Sequence, residues 1–141
     1  MPINGPIIIV DDDDDDHYII KRVCEKLVAT PVLFFNDGKK ALQFLKTSDE
    51  KPFIILCDVN MPVMNGLELK EEINTDEELK KKQIPFVFFS TSAMASIVKD
   101  AFDMGVQGFF IKAQSLEEME NTLRIIFDYW EKCEHLNDLR F

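Results

Sequence analysis

The fold of this chain is decided by the stretch Phe53-Ile54-Ile55-Leu56-Cys57-Asp58-Val59-Asn60-Met61-Pro62-Val63-Met64-Asn65-Gly66. Its first five residues are apolar, a run that is too short for a helix and is typical of a strand buried on both faces of a sheet. Asp58 follows directly and begins a loop that contains one proline and ends at a glycine. Because open α/β sheets bind ligands at the carboxyl ends of their strands, Asp58 is a candidate functional residue.

Similar apolar runs recur along the chain and alternate with segments that have helical spacing. The predicted strands are residues 7–10, 31–35, 53–57, 85–89 and 108–111. A predicted helix follows each strand; a polar stretch to Gln83 follows the third helix, and Ser115 has the capping-box pattern at the start of the fifth. Short, right-handed connections then predict an α/β fold of the (βα)₅ type, a doubly wound five-stranded parallel sheet covered by helices on both faces.

Length and composition indicate one globular domain over residues 1–141. The chain is 46% hydrophobic and 30% charged, and we expect a core at about residues 5–132, with residues 133–141 as an extension of the last helix or a tail. The net charge of −10 disfavours nucleic acid and anionic membranes as partners.

Location is predicted from the segments that the sequence does not contain. No run approaches the roughly 18 apolar residues of a membrane helix, and residues 1–6 lack the pattern of a signal peptide, so we expect a cytoplasmic protein. The three cysteines are far apart in the sequence, which predicts free thiols.

The predicted strand ends bring a particular set of side chains to one edge of the sheet. The first strand is followed by Asp11 and Asp12, the third by Asp58, the fourth by Ser90 and the fifth by Lys112. Clustered carboxylates repel one another unless a cation neutralises them, and Mg²⁺ prefers oxygen ligands. A hydroxyl and an ammonium group beside the ion suit the oxygens of a phosphoryl group. The set is therefore suited to phosphoryl transfer to an aspartate.

On these residues the chain resembles the receiver domain of two-component response regulators, in the stand-alone form found among chemotaxis regulators. The resemblance rests on the pair Asp11-Asp12, on the motif D-x-x-M-P-x-M-x-G at residues 58–66, and on Ser90 and Lys112. Asp58 is 47 residues after Asp11, Ser90 is 32 further on, and Lys112 is another 22. The resemblance implies a flavodoxin-like sheet with strand order 2-1-3-4-5.

The resemblance also implies a role for each matching residue. Asp58 would be the phosphoacceptor. Mg²⁺, with Mn²⁺ as an alternative, would be held by Asp12, Asp58 and the backbone carbonyl of Asn60, with Asp11 acting mainly through water. The phosphoryl oxygens would be bound by Ser90, the backbone of Thr91 and Lys112. Ser90 and Phe109 would form the conformational switch, and Asn60 and Ser92 would tune the lifetime of the phosphorylated state.

The sequence differs from the family pattern in two places. The family lysine is usually followed by a proline, often in a cis bond, but Ala113 follows Lys112 here. The acidic run is also longer than a metal site needs, and we expect Asp13 to Asp16 to be solvated or to cap the first helix.

Several residues have a second interpretation. Thr91 would replace Ser90 if the register shifts by one residue, and Phe109 is either a switch or a static core residue. His17 and His135 are predicted to lie at the surface. The last helix has an apolar stripe, which either packs on the sheet or offers its C-terminal end to a partner. The stripe consists of Leu116, Met119, Leu123, Ile126, Trp130 and Cys133, with Leu136 as an extension.

The leading functional hypothesis is a stand-alone receiver that is not a conventional enzyme. It would take its phosphoryl group from a histidine kinase or a histidine phosphotransfer protein and signal to an unknown protein target. A second copy is a candidate partner, through the last helix or through the face made by the fourth helix, fifth strand and fifth helix. One alternative is a shuttle that passes the phosphoryl group to a histidine phosphotransfer protein. Another is a haloacid dehalogenase-like phosphatase with Asp11 as nucleophile.

Overall fold

The computed structural model describes residues 4–91 and 93–135, and within them five strands alternate with six helices. The strands are β1 (Ile7–Val10), β2 (Val32–Phe35), β3 (Ile54–Cys57), β4 (Phe86–Ser90) and β5 (Gly108–Ile111). The helices are α1 (Asp14–Leu27), α2 (Gly38–Thr47), α3 (Gly66–Thr75), α4 (Glu77–Lys82), α5 (Ala95–Asp103) and α6 (Leu116–Lys132).

The expectation of five helices was wrong at one place, because the polar stretch after α3 forms a helix of its own. Asp76 ends α3, and its side chain accepts a hydrogen bond from the Leu79 N–H at 3.0 Å, which caps α4. Leu79 is the buried residue of this short helix. The single apolar residue fixes α4 on the core without producing a helical periodicity in the sequence.

All five strands are parallel and lie in the order β2-β1-β3-β4-β5, so the predicted fold class is confirmed. Val10 pairs with Cys57 across β1 and β3, and Ser90 pairs with Ile111 across β4 and β5. These strands therefore end side by side, and the residues that follow them lie at one edge of the sheet.

The core has two layers, one on each face of the sheet. Side chains of β1 and β3 alternate between the layers: Ile8 and Ile55 pack on one side, and Ile7 and Ile54 pack on the other. Helices α2, α3, α4 and α5 contribute buried residues to the first layer, and α1 and α6 to the second. Burial on both faces explains why these strands are continuously apolar.

The stripe of α6 packs on the sheet over most of its length. Met119, Leu123 and Ile126 are buried, whereas Leu116 is 57% exposed. Trp130 is half-buried against the second layer. Leu136 lies outside the described residues.

The prediction of a surface histidine was wrong for His135, whereas His17 is partly exposed. His135 is buried, its ring stacks on Phe53 with centroids 4.7 Å apart, and its Nε2 lies 2.6 Å from the Trp130 carbonyl oxygen. His17 is half-buried beside the Phe34 ring, and its Nε2 contacts the carbonyl oxygen of Asp11. Each imidazole has an aromatic neighbour and a backbone acceptor, which compensates for the loss of water.

No helix in the described part of the chain is long and apolar enough to cross a membrane. The three cysteines are free thiols, as the sequence predicts.

Thiol reagents are expected to distinguish these cysteines. Cys24 and Cys57 are buried, whereas Cys133 is partly exposed. Burial raises the pKa of Cys24 to about 12 and raises that of Cys57 well above its ordinary value, so little of either thiolate forms near neutral pH. We expect a disulfide reagent at pH 8 to modify Cys133 first in the folded protein and all three thiols in denaturant. Peptide mass spectrometry identifies the modified residue, and early modification of Cys57 would contradict the prediction.

Candidate functional site

The structure brings together polar residues that end or directly follow four of the strands. Asp11 and Asp58 extend the neighbouring strands β1 and β3, and the Asp58 N–H donates to the Val10 carbonyl oxygen at 2.8 Å. Lys112 follows β5, and its N–H donates to the Ser90 carbonyl oxygen at 2.7 Å. These backbone bonds continue the parallel ladders by one residue, which fixes where each side chain leaves the sheet.

Lys112 is the centre of a buried ion cluster. Its Nζ lies 2.5 Å from Asp11 Oδ2, 2.7 Å from Asp16 Oδ2 and 3.3 Å from Asp58 Oδ2. Its side chain is only 3% exposed. Burial alone would lower the pKa of Lys112, but the hydrogen bonds that its ammonium group donates to Asp11 and Asp16 outweigh burial and raise this pKa above its ordinary value. The ammonium group therefore stays charged across the physiological range.

The peptide bond after Lys112 is trans, as are the others in the described part of the chain. Ala113 stands where the family usually has a proline, and Lys112 still reaches the carboxylate cluster with a trans bond at this position.

The acidic run has two functions rather than one. Asp13 is the N-cap of α1, and its Oδ1 accepts hydrogen bonds from the backbone of Asp15 at 2.9 Å and of Asp16 at 3.2 Å. The expectation that Asp16 is only a solvated or capping residue was wrong, because its carboxylate pairs with Lys112. Asp14, Asp15 and Asp16 all lie in the first turn of α1, so the sequence contains no signal that distinguishes Asp16 as the residue that reaches the site.

The carboxylates form a suitable site for a hard cation. Asp11, Asp12 and Asp58 each offer an oxygen, and these oxygens all lie within 4.8 Å of one another. Asp58 Oδ1 is buried and has no hydrogen-bond partner among the described residues, whereas Asp12 is exposed. Burial raises the pKa of Asp11, and its bonds to Lys112 and to the Asp13 N–H partly offset this. An all-oxygen set with an unpaired buried oxygen fits Mg²⁺ or Mn²⁺.

The hydroxyl side of the site contains a second unpaired group. Ser90 is fully buried at the end of β4, and its Oγ has no partner among the described residues. Thr91 is exposed. An unsatisfied buried hydroxyl costs about 1–3 kcal/mol, so Ser90 is the better candidate for a group whose partner arrives with a ligand.

The remaining predicted residues are less constrained by the structure. Phe109 is half-buried, packs against the first core layer, and has its ring centroid 5.7 Å from that of Phe88. Asn60 is exposed in the loop after Asp58, and Ser92 lies outside the described residues.

The loop after Asp58 ends at Gly66, the last residue of the D-x-x-M-P-x-M-x-G motif, and the structure gives the physical reason for a glycine there. The Gly66 N–H donates to the Val59 carbonyl oxygen at 2.9 Å. A Cβ at Gly66 would lie 2.3 Å from the Asp58 carbonyl oxygen and 2.6 Å from the Phe88 ring. The start of α3 therefore lies directly against the backbone of the central aspartate.

Comparison with known proteins gives the family. The family model "Response regulator receiver domain" matches residues 7–124. The chain belongs to the response regulator receiver family. It is 31% identical over 125 residues to the chemotaxis protein CheY-3 of Vibrio cholerae. The matched residues cover 89% of this chain and 93% of CheY-3. It is therefore a CheY-like receiver domain of the two-component type.

Two solved structures extend the comparison. The phosphorylated cyanobacterial phytochrome response regulator RcpA superposes with a TM-score of 0.85 at 26% identity, covering 94% of this chain and 99% of that one. The Mn²⁺-bound form of the response regulator Rcp1 superposes with a TM-score of 0.82 at 25% identity. The match covers 93% of this chain and 98% of Rcp1. One of these relatives has thus been seen phosphorylated and the other with a divalent metal.

Proposed function

We propose that this receiver domain accepts a phosphoryl group on Asp58 with the help of a divalent metal and signals through protein contacts. The observation that carries the proposal is the environment of Asp58. Its Oδ2 is 3.3 Å from Lys112 Nζ, and its Oδ1 is buried with no hydrogen-bond partner among the described residues. The Asp58 carboxylate also offers an oxygen within 4.8 Å of oxygens of Asp11 and Asp12. Such an oxygen is available to bind a metal or to attack phosphorus.

The donor is a phosphohistidine of a histidine kinase or a histidine phosphotransfer protein. An oxygen of Asp58 forms the new bond to phosphorus while the phosphorus–nitrogen bond of the donor breaks. The leaving imidazole nitrogen takes the bonding electron pair. Little covalent assistance is required in such a transfer, so the protein acts mainly by positioning and by neutralising charge.

Asp11, Asp12, Asp58 and the backbone carbonyl of Asn60 would hold Mg²⁺ or Mn²⁺. When bound, the metal supplies positive charge to the phosphoryl oxygens and offsets the repulsion among the carboxylates. Lys112 would donate to a phosphoryl oxygen in exchange for its long contact with Asp58. Ser90 Oγ and the Thr91 backbone would bind the other oxygens.

The readout would pass from Ser90 to Phe109, with Asn60 and Ser92 setting the lifetime. Large apolar side chains near this region are exposed: Met94 is 67%, Phe102 52% and Ile111 56% exposed. They support output through a protein target, or through a second copy at the face of α5, β5 and α6 or at α6 alone. The cytoplasmic location and the extent of one domain over residues 1–141 stay predictions.

The phosphoacceptor is tested by the variant Asp58→Asn. With Mg²⁺ and acetyl phosphate, the wild-type protein should gain one phosphoryl group, in an acid-stable and base-labile form, by mass spectrometry. Asp58→Asn should gain none, because an amide oxygen is a poor nucleophile and the acyl phosphate cannot form. Asp14→Asn is the matched control, since it removes the same charge from an exposed position. Equal labelling of Asp58→Asn and wild type would refute the assignment.

The same labelled protein separates the switch from the shuttle. Rapid transfer from Asp58 to a histidine phosphotransfer protein would favour the shuttle, and tighter binding of a target by the phosphorylated form would favour the switch. No observation favours the phosphatase alternative, because Asp11 Oδ2 is held by Lys112 at 2.5 Å and its Oδ1 accepts the Asp13 N–H at 2.9 Å.

A further inference from the structure

Asp16 makes a contact that the proposed phosphoryl transfer does not account for. Its Oδ2 lies 2.7 Å from Lys112 Nζ and links the first turn of α1 to the residue after β5, 96 positions along the chain. The Asp16 side chain is 19% exposed and that of Lys112 is 3% exposed. Solvent and salt therefore screen this pair less than they screen a surface ion pair.

The ammonium group of Lys112 has as many hydrogens as it has carboxylate neighbours. It lies closer to Asp11 and Asp16 than to Asp58. An ammonium group has three N–H donors, so these acceptors can use its whole capacity. Any new partner of Lys112 must replace one of them, and Asp58 is the most weakly held at 3.3 Å.

The acceptors differ in what a bound metal would do to them. Asp11 and Asp58 offer oxygens to the candidate metal site, and Asp16 does not belong to that cluster. A divalent cation beside Asp11 and Asp58 would draw their charge toward itself and would repel the nearby ammonium group. Of the three carboxylates that contact Lys112 among the described residues, Asp16 is therefore the one that lies outside the candidate metal site.

We propose that Asp16 is a positioning residue that anchors the Lys112 ammonium group in the site when a divalent metal occupies Asp11, Asp12 and Asp58. The anchor leaves one N–H free to pass from Asp58 to a phosphoryl oxygen while the lysine stays in place. This inference rests on the proposed function for its purpose, but the anchoring itself is a property of Lys112 that is measured without any phosphoryl donor.

The test observes Lys112 directly by NMR in protein labelled with ¹⁵N at lysine. A buried and paired ammonium group exchanges its hydrogens slowly and gives a ¹H–¹⁵N signal, which the variant Lys112→Met identifies by its loss. The comparison uses wild type, Asp16→Asn and the control Asp15→Asn, each with and without Mg²⁺. Asp15 is exposed and one position away in the same helix turn. Its variant therefore makes the same change in charge at nearly the same place.

In wild type and Asp15→Asn we expect the Lys112 signal to persist when Mg²⁺ is added. In Asp16→Asn the signal should be present without metal, because Asp11 and Asp58 remain, and its hydrogen exchange should accelerate about tenfold or more with Mg²⁺. A signal in Asp16→Asn that persists in Mg²⁺ as in wild type would overturn the anchor. Loss of the wild-type signal in Mg²⁺ would also overturn the anchor. Loss of the Asp16→Asn signal without metal would overturn it as well, because the contact would then be merely structural.

Labelling by acetyl phosphate separates the failure of this inference from that of the proposed function. If the anchor is correct, Asp16→Asn should be labelled about tenfold more slowly than Asp15→Asn. Normal labelling of Asp16→Asn would reject the anchor and leave the proposed function intact. An unlabelled wild-type protein that shows the expected NMR pattern would reject the proposed function and leave the anchor intact.

Discussion

Gly66→Ala is expected to lower the free energy of unfolding by about 3 kcal/mol, at the upper end of the cost of overpacking a core. The new Cβ would lie 2.3 Å from the Asp58 carbonyl oxygen and 3.1 Å from Val59 Cα. Both atoms belong to the backbone, so the clash cannot be relieved by rotating a side chain. Relief would require α3 to move away from the loop that follows Asp58. Urea unfolding, followed by circular dichroism, measures the change.

Gly105→Ala is the matched control for this prediction. Gly105 has a φ of +82°, and a Cβ there would have no atom within 4 Å. Its variant therefore carries left-handed backbone strain of about 1–2 kcal/mol but no clash. If Gly66→Ala is no less stable than Gly105→Ala, the close approach at Asp58 is not a real constraint. The change at Gly66 should also slow labelling of Asp58 by acetyl phosphate, which Gly105→Ala should not do.

The sequence predicted the sheet because its strands are buried on both faces. Runs such as residues 7–10 and 53–57 have no polar position, and this pattern is specific to the centre of a parallel sheet. The structure has both strands fully buried. The short helix α4 was not predicted, because its one buried residue, Leu79, cannot produce the helical spacing of apolar residues that identifies a helix in sequence.

The convergence of Asp11, Asp58, Ser90 and Lys112 was also predictable, because parallel topology brings the carboxyl ends of strands to one edge. Asp16 was not, because it lies in a run of identical residues and its selection depends on Lys112, 96 positions away. His135 was missed because its burial comes from the ring of Phe53, a tertiary contact that local polarity does not indicate.

Lys112→Met is expected to have the largest effect on stability of any change in the site. In the absence of metal it leaves Asp11 and Asp58 buried without their shared cation, and removing one partner of a buried ion pair costs about 3–5 kcal/mol. Mg²⁺ should recover much of the loss, because it neutralises the same carboxylates. Urea unfolding with and without Mg²⁺ measures both effects, and a variant as stable as wild type without metal would contradict the account of the cluster.

The pH dependence of Lys112→Met follows from the direction of the shift at Asp11. Burial already raises the pKa of Asp11 above its ordinary value, and Lys112 opposes this, so the variant should raise this pKa further. For an acid whose pKa is higher in the folded state, stability is greatest at low pH and is lost as the pH rises through the folded pKa. The deficit relative to wild type should therefore shrink as the pH is lowered from 7 toward the ordinary pKa range of a carboxyl group. Lys70→Met is the control: Lys70 is also buried, burial lowers its pKa, and its charged group lies over the Phe86 ring 5.6 Å from the centroid. Lys70 belongs to no carboxylate cluster in the described residues, so neither Mg²⁺ nor a lower pH should restore the stability of Lys70→Met. Recovery of both lysine variants would show that the effect is not specific to the site.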